Sequence, residues 1–164
     1  MKLSRASAAL FALGVFLCSH SLHAFYIKVS EEELIKKSNW IVVGSVLERQ
    51  SYWNNDHSLI YTDFRVSVEN SLKGNDRPDS VTVTVLGGTV GDISLRVSDE
   101  PAFEMNEQVL LFLERTGEAK ARVVYGIQGK YSIRDHSVVE IKEDIARVME
   151  RIRATVNNHE KKDK

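Results

Sequence analysis

Glycine is concentrated in one short segment of this chain. The stretch LGGTVGD, Leu86–Asp92, holds three of the nine glycines. Glycine-rich loops bind phosphate when several backbone N–H groups, usually at the start of a helix, point at the anion. Here an acidic residue and a segment of period two follow the loop, which lacks a Lys-Ser/Thr pair. The pattern therefore favours a corner between two strands, where glycines supply positive φ or a bulge.

Histidine offers little for metal binding or hydrolysis. Beyond residue 24 the histidines are His57, His136 and His159, and no two have the spacing of metal ligands. Asp56 and His57 in NDHS form at most a weak metal site, and the turn-forming residues around them favour a solvated turn. His57 and His136 are the candidate bases of a hydrolase, but an aspartate adjacent in sequence points to the other face of a strand. We predict no catalytic residue, metal or cofactor.

Aromatic residues in a polar segment indicate binding more clearly. Tyr52 and Trp53 lie in SYWNNDHS, Ser51–Ser58, which we predict to be an exposed loop. Aromatic side chains on loops above a rigid sheet often anchor a partner, although Trp53 could equally cover one end of a barrel. The predicted binding residues are Tyr52, Trp53 and His57.

Glu107 is a further candidate because it immediately precedes the apolar run VLLFL. A carboxylate at a strand end can orient a ligand. It can also accept hydrogen bonds from the backbone of a turn, which is the interpretation we favour.

The first 24 residues have the layout of a signal peptide. Lys2 and Arg5 precede the apolar run Ala8–Cys18, and Ala24 provides the small residue before a cut. We predict cleavage after Ala24 and export to the periplasm or the medium. Lipid attachment at Cys18 is the less favoured alternative, because a leucine precedes this cysteine. No later segment approaches the roughly 20 apolar residues of a membrane span.

Cleavage at that point leaves 140 of the 164 residues and no cysteine. This is the length of one domain, which can bury a core without disulfide bonds. The charge balance changes from 22 basic and 23 acidic residues in the full chain to 20 basic and 23 acidic residues in the mature chain. A net negative chain is a poor match for nucleic acid, whose binding depends on clustered basic residues.

Helical signals occur only near the two ends of the mature chain. Ser30 and Glu33 have capping-box spacing, and Val29 and Leu34 that of a hydrophobic staple, which predicts a short helix ending near Asn39. The C-terminal segment carries an apolar stripe at helical spacing. Its members are Ile141, Ile145, Val148, Met149, Ile152 and Val156. We expect this stripe to pack on its own domain, with a membrane or a partner helix as the less favoured alternatives.

Between the helices the sequence has the period of β-strands. The predicted strands are WIVVGSVLER, LIYTDFRVSVENSL, VTVTVL, DISLRVS, VLLFL and ARVVYGIQGKYSIRD. Short strands rich in glycine favour a small, strongly curved barrel. We predict a mainly β fold: a small OB-like β-barrel with a short N-terminal helix and an amphipathic C-terminal helix. The domain spans residues 25–157 and a flexible tail spans 158–164.

The order of these blocks resembles that of a group of exported bacterial proteins without an assigned function, over Glu31–Arg153. Three blocks are more distantly similar to the netrin and tissue-inhibitor-of-metalloproteinase module, an OB-type barrel. They are Val42–Val46, Tyr61–Gly74 and Phe103–Leu113. The resemblance implies a non-catalytic domain that binds proteins, in some members proteases. Those inhibitors present a disulfide-bonded N-terminal cysteine to the catalytic zinc of the protease. The mature chain predicted here begins at Phe25 and contains no cysteine.

These observations predict an exported binding domain without enzymatic activity. Its partner is a protein or an extracytoplasmic polymer, and the predicted surface is the segment Ser51–Ser58. An inhibitor of a co-exported protease and a hydrolase of the cell envelope are the alternatives.

Overall fold

The computed structural model describes residues 27–74 and 78–162. The predicted signal peptide 1–24, its cleavage site and Cys18 lie outside the described residues. The elements are α1 (Glu31–Lys37), β1 (Trp40–Trp53), β2 (Ile60–Lys73), β3 (Ser80–Leu86), β4 (Gly88–Val90), β5 (Ile93–Leu95), β6 (Gln108–Arg115), β7 (Lys120–Val123), a 3₁₀ turn (Gly126–Gly129), β8 (Lys130–Arg134), β9 (Ser137–Val138), β10 (Glu143–Asp144) and α2 (Ile145–Lys162).

Five of these strands form a closed barrel in the order β1-β2-β3-β7-β6, with β6 pairing back onto β1. All neighbours are antiparallel except β3 and β7. Numbered along the chain, the barrel strands follow the order 1-2-3-5-4, which is the Greek-key arrangement of an OB-like barrel. The predicted fold class is confirmed. Strands β8, β9 and β10 extend the sheet from β6.

The continuous apolar run in β6 separates two hydrophobic cores. Val109, Leu111 and Leu113 point into the barrel. Leu110 and Phe112 point outward, into a second core beneath the helices. Because side chains alternate along a strand, a run without polar residues is required where both faces are covered.

Both helices bury an apolar stripe in this second core. Ser30 caps α1 by accepting a hydrogen bond from the Glu33 N–H at 3.2 Å. Val148, Ile152 and Val156 of α2 are buried there, so the stripe packs on its own domain as predicted. The helix continues to Lys162, and residues 158–162, which we assigned to a flexible tail, are helical. No helix within residues 27–74 and 78–162 is both long and apolar enough to cross a bilayer.

Two predicted strands differ from the structure. ARVVYGIQGKYSIRD forms β7, the 3₁₀ turn and β8, because Tyr125 and Gly126 adopt left-handed backbone conformations with φ of 54° and 55°. DISLRVS contributes only the short strand β5, which pairs with β4 in a separate hairpin. Ile93 is therefore exposed, because its strand does not belong to the barrel sheet.

Candidate binding site

The two helices leave one side of the barrel with a polar and aromatic outer face. They pack on the side formed by β1, β6, β8 and β9, and at the end of β2 around Leu72. In the first half of β2 the inward side chains are buried, whereas outward Tyr61, Asp63 and Arg65 are half-buried or exposed. This alternation is the one predicted from the sequence, and it leaves these outward side chains on a side of the barrel that the helices do not cover.

A bulge in β1 determines which of its side chains reach that face. Val46 pairs with Val66 and Glu48 with Arg65, so Leu47 is an extra residue that reverses the alternation beyond it. Tyr52 pairs with Tyr61 on the outer face. Trp53 pairs with Ile60, which is fully buried, and therefore lies on the inner side.

The strand β1 thus extends through two residues that we predicted to lie in a loop. Tyr52 and Trp53 are half-buried strand residues on opposite faces, and the connection is confined to Asn54–Leu59. His57 lies in this turn with φ of 57°, and its ring is 6.2 Å from that of Trp53. Of the three predicted binding residues the structure brings Trp53 and His57 together and places Tyr52 elsewhere.

A cluster of hydrogen bonds organises the outer face around Asp63. The Tyr52 ring stacks on that of Tyr61, with centroids 6.3 Å apart. The carboxylate of Asp63 accepts hydrogen bonds from the Tyr52 hydroxyl at 3.2 Å and the Thr84 hydroxyl at 2.7 Å, and Lys120 Nζ lies 3.4 Å from it. Burial, followed by the nearby Asp63 charge, raises the pKa of Tyr52. We call these five residues the tyrosine face.

A cleft of about 770 Å³ lies beside the tyrosine face. It forms where β3 and β7 separate, since they pair only at Thr82 with Lys120 and Val83 with Ala121. Tyr61, Thr84 and Leu86 lie on one side of it, and Arg122, Tyr125 and Gly126 on the other. We call it the seam cleft. Its volume is in the range of small-ligand sites.

Charged groups of both signs line the seam cleft. Arg122 pairs with Glu114 at 2.6 Å, and 64% of the Arg122 side chain but only 46% of the Glu114 side chain is exposed. Glu100 is half-buried in the wall. Burial raises the pKa of the Glu100 carboxyl, although the Leu86 N–H and the charge of Arg122 act in the opposite direction. Such a surface offers hydrogen-bond donors, acceptors and charges around its aromatic rings.

The predicted solvated turn at NDHS is closed by its own hydrogen bonds. The Asn54 side chain accepts from the backbone N–H groups of Ser58 at 2.9 Å and Leu59 at 3.0 Å. Asp56 accepts from the Ser58 hydroxyl at 2.6 Å, and this bond, followed by one from the Ser58 N–H, lowers the Asp56 pKa. The described part of the chain contains no group of three His, Cys, Asp or Glu residues placed to hold a metal ion.

The two histidines considered as bases lie in different turns. Asp135 and His136, with φ of 48° and 61°, form the two-residue connection between β8 and β9, as in a type I′ turn. Among residues 27–74 and 78–162 neither His57 nor His136 forms a hydrogen bond or ion pair with a carboxylate. Neither ring is oriented by an acidic partner within that part of the protein.

The carboxylate of Glu107 accepts hydrogen bonds from neighbouring groups of the protein. Its carboxylate accepts from the Glu104 N–H at 3.1 Å, which confirms the turn interaction that we favoured. It also accepts from Lys130 Nζ at 2.6 Å and from the Ser132 hydroxyl at 2.7 Å. Burial alone would raise the pKa of Glu107, but the hydrogen bonds from Lys130 and Ser132 outweigh it and lower the pKa.

The glycine-rich segment turns a corner, as its sequence indicates. Gly87, Gly88 and Gly91 have φ of 117°, 137° and 59°. Gly91 and Asp92 connect β4 to β5, and no helix follows this connection. The alternative of a phosphate loop that leads into a helix is therefore wrong.

The sequence matches no protein-family model, and no curated protein is significantly similar to it. Among the residues that form the site, Tyr61 and Asp63 could have been found from the sequence, because its alternation places them on the solvent-facing side of β2. Glu100 could not, because it lies in an irregular segment whose position depends on the whole fold.

Proposed function

We propose that this protein is an exported binding domain without catalytic chemistry, and that its partner binds the tyrosine face and the adjoining seam cleft. The partner is a protein or an extracytoplasmic polymer. The observation that carries the proposal is the stacked Tyr52–Tyr61 pair at the edge of a cleft of about 770 Å³. Export is proposed from the layout of residues 1–24 alone.

Physical chemistry supports this surface over the rest of the barrel. Tyrosine provides a large contact area at a low cost in side-chain entropy, and its hydroxyl remains available for hydrogen bonds. Tyr52 and Tyr61 are already ordered by stacking and by the bond to Asp63, so binding loses little further entropy. The face also comprises the second and third barrel strands, where OB-type barrels bind extended polymers.

Binding experiments with envelope fractions test the proposal. Mature protein, residues 25–164, is used as bait against solubilised envelope proteins and, separately, against sedimented cell-wall polymer. The affinity of each recovered partner is then measured with purified components. We expect Tyr52→Ala/Tyr61→Ala to weaken binding by a factor of about ten or more, as for hot-spot tyrosines.

Met105→Ala provides the matched control. Met105 is an exposed apolar residue outside both the tyrosine face and the seam cleft. Its truncation should leave the affinity unchanged. Equal affinities for wild type and the double tyrosine variant, with both folded by circular dichroism, would show that the partner binds elsewhere.

A further inference from the structure

A second cleft, of about 490 Å³, lies at the open end of the barrel beneath the β4–β5 hairpin. Its walls come from the inner side of β1 and β2, from the hairpin and from the segment that leads to Phe103. We call it the mouth cleft. It shares Leu86 and Glu100 with the seam cleft but contains neither Tyr52 nor Tyr61.

Two arginines line the mouth cleft without an acidic partner. The bulge at Leu47 places Arg49 opposite Phe64, on the side of β1 that faces the barrel interior. Arg96 follows β5 and reaches the same cleft. Both side chains are exposed, and within residues 27–74 and 78–162 neither forms an ion pair. The two guanidinium groups outnumber the carboxylate of Glu100 in this lining, and a guanidinium group binds a carboxylate through parallel N–H bonds.

A short chain of hydrogen bonds leaves one acceptor available in the same cleft. Thr62 Oγ1 donates its proton to the carbonyl of Gly87 at 2.6 Å. In the 2.9 Å contact between Ser51 Oγ and Thr62 Oγ1, Ser51 must therefore be the donor. With its own proton used, the Ser51 oxygen can only accept a hydrogen bond from a ligand. The group that it would meet is an N–H or O–H donor.

The floor of the mouth cleft is apolar. Phe64, Val85 and Phe103 belong to the barrel core but keep 6%, 6% and 7% of their surface exposed, whereas Val83, deeper in the barrel, keeps none. An apolar group placed on this floor would bury further hydrophobic surface.

We propose that the mouth cleft binds the C-terminus of a peptide whose last side chain is apolar. Arg49 and Arg96 hold the terminal carboxylate, Ser51 Oγ accepts the hydrogen bond of the last amide N–H, and the apolar side chain rests on the Phe64–Phe103 floor. A sugar acid matches the arginines but has no apolar side chain, and inorganic phosphate matches only the arginines. The proposal concerns a second surface and does not depend on what binds the tyrosine face.

Titration of the ¹⁵N-labelled mature protein with defined peptides tests the site by NMR. The probe is acetyl-Ala-Ala-Leu with a free carboxylate, and the comparison is the same peptide with a C-terminal amide. We expect the amide to bind about tenfold more weakly or worse, because charge-assisted bonds to arginine are lost. Acetyl-Ala-Ala-Gly should also bind about tenfold more weakly, since it buries no side chain. Shifts should centre on Ser51 and Gly87.

Charge variants locate the carboxylate. Arg49→Gln and Arg96→Gln should each lower the affinity for the free-acid peptide by about tenfold and leave the affinity for the amide unchanged. Arg153→Gln is the control, because Arg153 is exposed on α2, away from the cleft. In the wild type, affinity for the free acid should fall with added NaCl, a measurement that needs no variant.

Several results would overturn the proposal. They are equal affinities for acid and amide, unchanged affinities in both arginine variants, and the absence of any binding at millimolar peptide. Tighter binding of D-galacturonate or phosphate than of the peptide would assign the cleft to a sugar acid or an inorganic anion instead. Loss of binding in Tyr52→Ala/Tyr61→Ala, with no effect of the arginine variants, would show that the peptide binds the tyrosine face instead.

Discussion

Lys130 Nζ lies 2.6 Å from Glu107 Oε1, and only 11% of each side chain is exposed to solvent. The ammonium group is also 5.4 Å from the centre of the Phe103 ring. Removing two charges from water is costly, and this cost is offset only where the remaining hydrogen bonds are also satisfied. Ser132 and the Glu104 N–H provide them here. The pair therefore links β8 to the turn before β6.

Breaking this pair from one side should be far more damaging than removing it altogether. Glu107→Gln leaves the Lys130 charge buried without a counterion, and we expect a loss of about 3 kcal/mol in the free energy of unfolding. Replacing both residues, as Glu107→Leu/Lys130→Met, should remain within about 1 kcal/mol of wild type. Urea denaturation at pH 7 measures both. A double variant no more stable than Glu107→Gln would show that the ion pair itself provides the stability.

The same pair should make stability depend on pH in the acidic range. The pKa of Glu107 is lower in the folded protein than its ordinary value. Its contribution is thus complete above the unfolded pKa of about 4.3 and is lost as the pH falls through the lower folded pKa. The stability difference between wild type and Glu107→Gln should decrease over that interval. A difference that stays constant between pH 7 and pH 3 would contradict the assignment.

Glu100 should show the opposite dependence. Burial raises its pKa in the folded protein, so its ionised form destabilises the fold above that pKa, and this effect disappears as the pH falls toward the unfolded value. Glu100→Gln keeps an acceptor for the Leu86 N–H and removes the charge. We expect a gain of up to about 1 kcal/mol at pH 7, reduced by solvent screening, which vanishes near pH 4. Thermal melts at both pH values measure it, and destabilisation at pH 7 would contradict it.

Gly88 and Gly91, two of the three glycines of the corner, should differ in their tolerance of a side chain. A Cβ at Gly88, where φ is 137°, would overlap Thr62 Oγ1 and lie 2.7 Å from Ser51 Oγ, whereas one at Gly91, where φ is 59°, meets nothing within 4 Å. Gly88→Ala should lower the free energy of unfolding by about 2 to 4 kcal/mol. Gly91→Ala should lower it by only about 1 to 2 kcal/mol, which is the cost of a left-handed backbone conformation for alanine.

Gly117→Ala is the matched control for this series. Its added Cβ would meet only the Lys120 side chain, at an ordinary distance of 3.5 Å, and its φ is not positive. This substitution should change stability by less than about 0.5 kcal/mol. If Gly88→Ala folded as stably as Gly117→Ala, the Thr62 and Ser51 hydroxyl groups would not be what excludes a side chain at position 88.

Local patterns predicted the parts of the fold that depend on local interactions. The cap at Ser30, the alternation of β2 and the doubly buried run of β6 each have a signal within a few residues. The mainly β class and the barrel followed from them. The break between β7 and β8 did not, because Gly126 adopts its conformation against Asp99 O, a contact from a distant segment.

The site was harder to predict because strand register determines it. Tyr52 and Trp53 are adjacent, polar neighbours surround them, and nothing local shows that β1 continues through both residues. The separation of their side chains depends on pairing with Tyr61 and Ile60. Arg49 and Arg96 are 47 positions apart and line one cleft only because the hairpin folds over the barrel end.

The extra residue at Leu47 has a consequence for how such a surface changes over generations. With it, every second side chain from Arg49 to Trp53 lies on the inner side of β1, and the alternate ones form the outer face. Loss of that single codon would leave both sets in place, because Val46 and Glu48 would then be adjacent and would face Val66 and Arg65, which are already adjacent. In a barrel of this design, the bulge can therefore be lost in one step through a change of chain length, while the inner and outer side chains beyond it keep their positions.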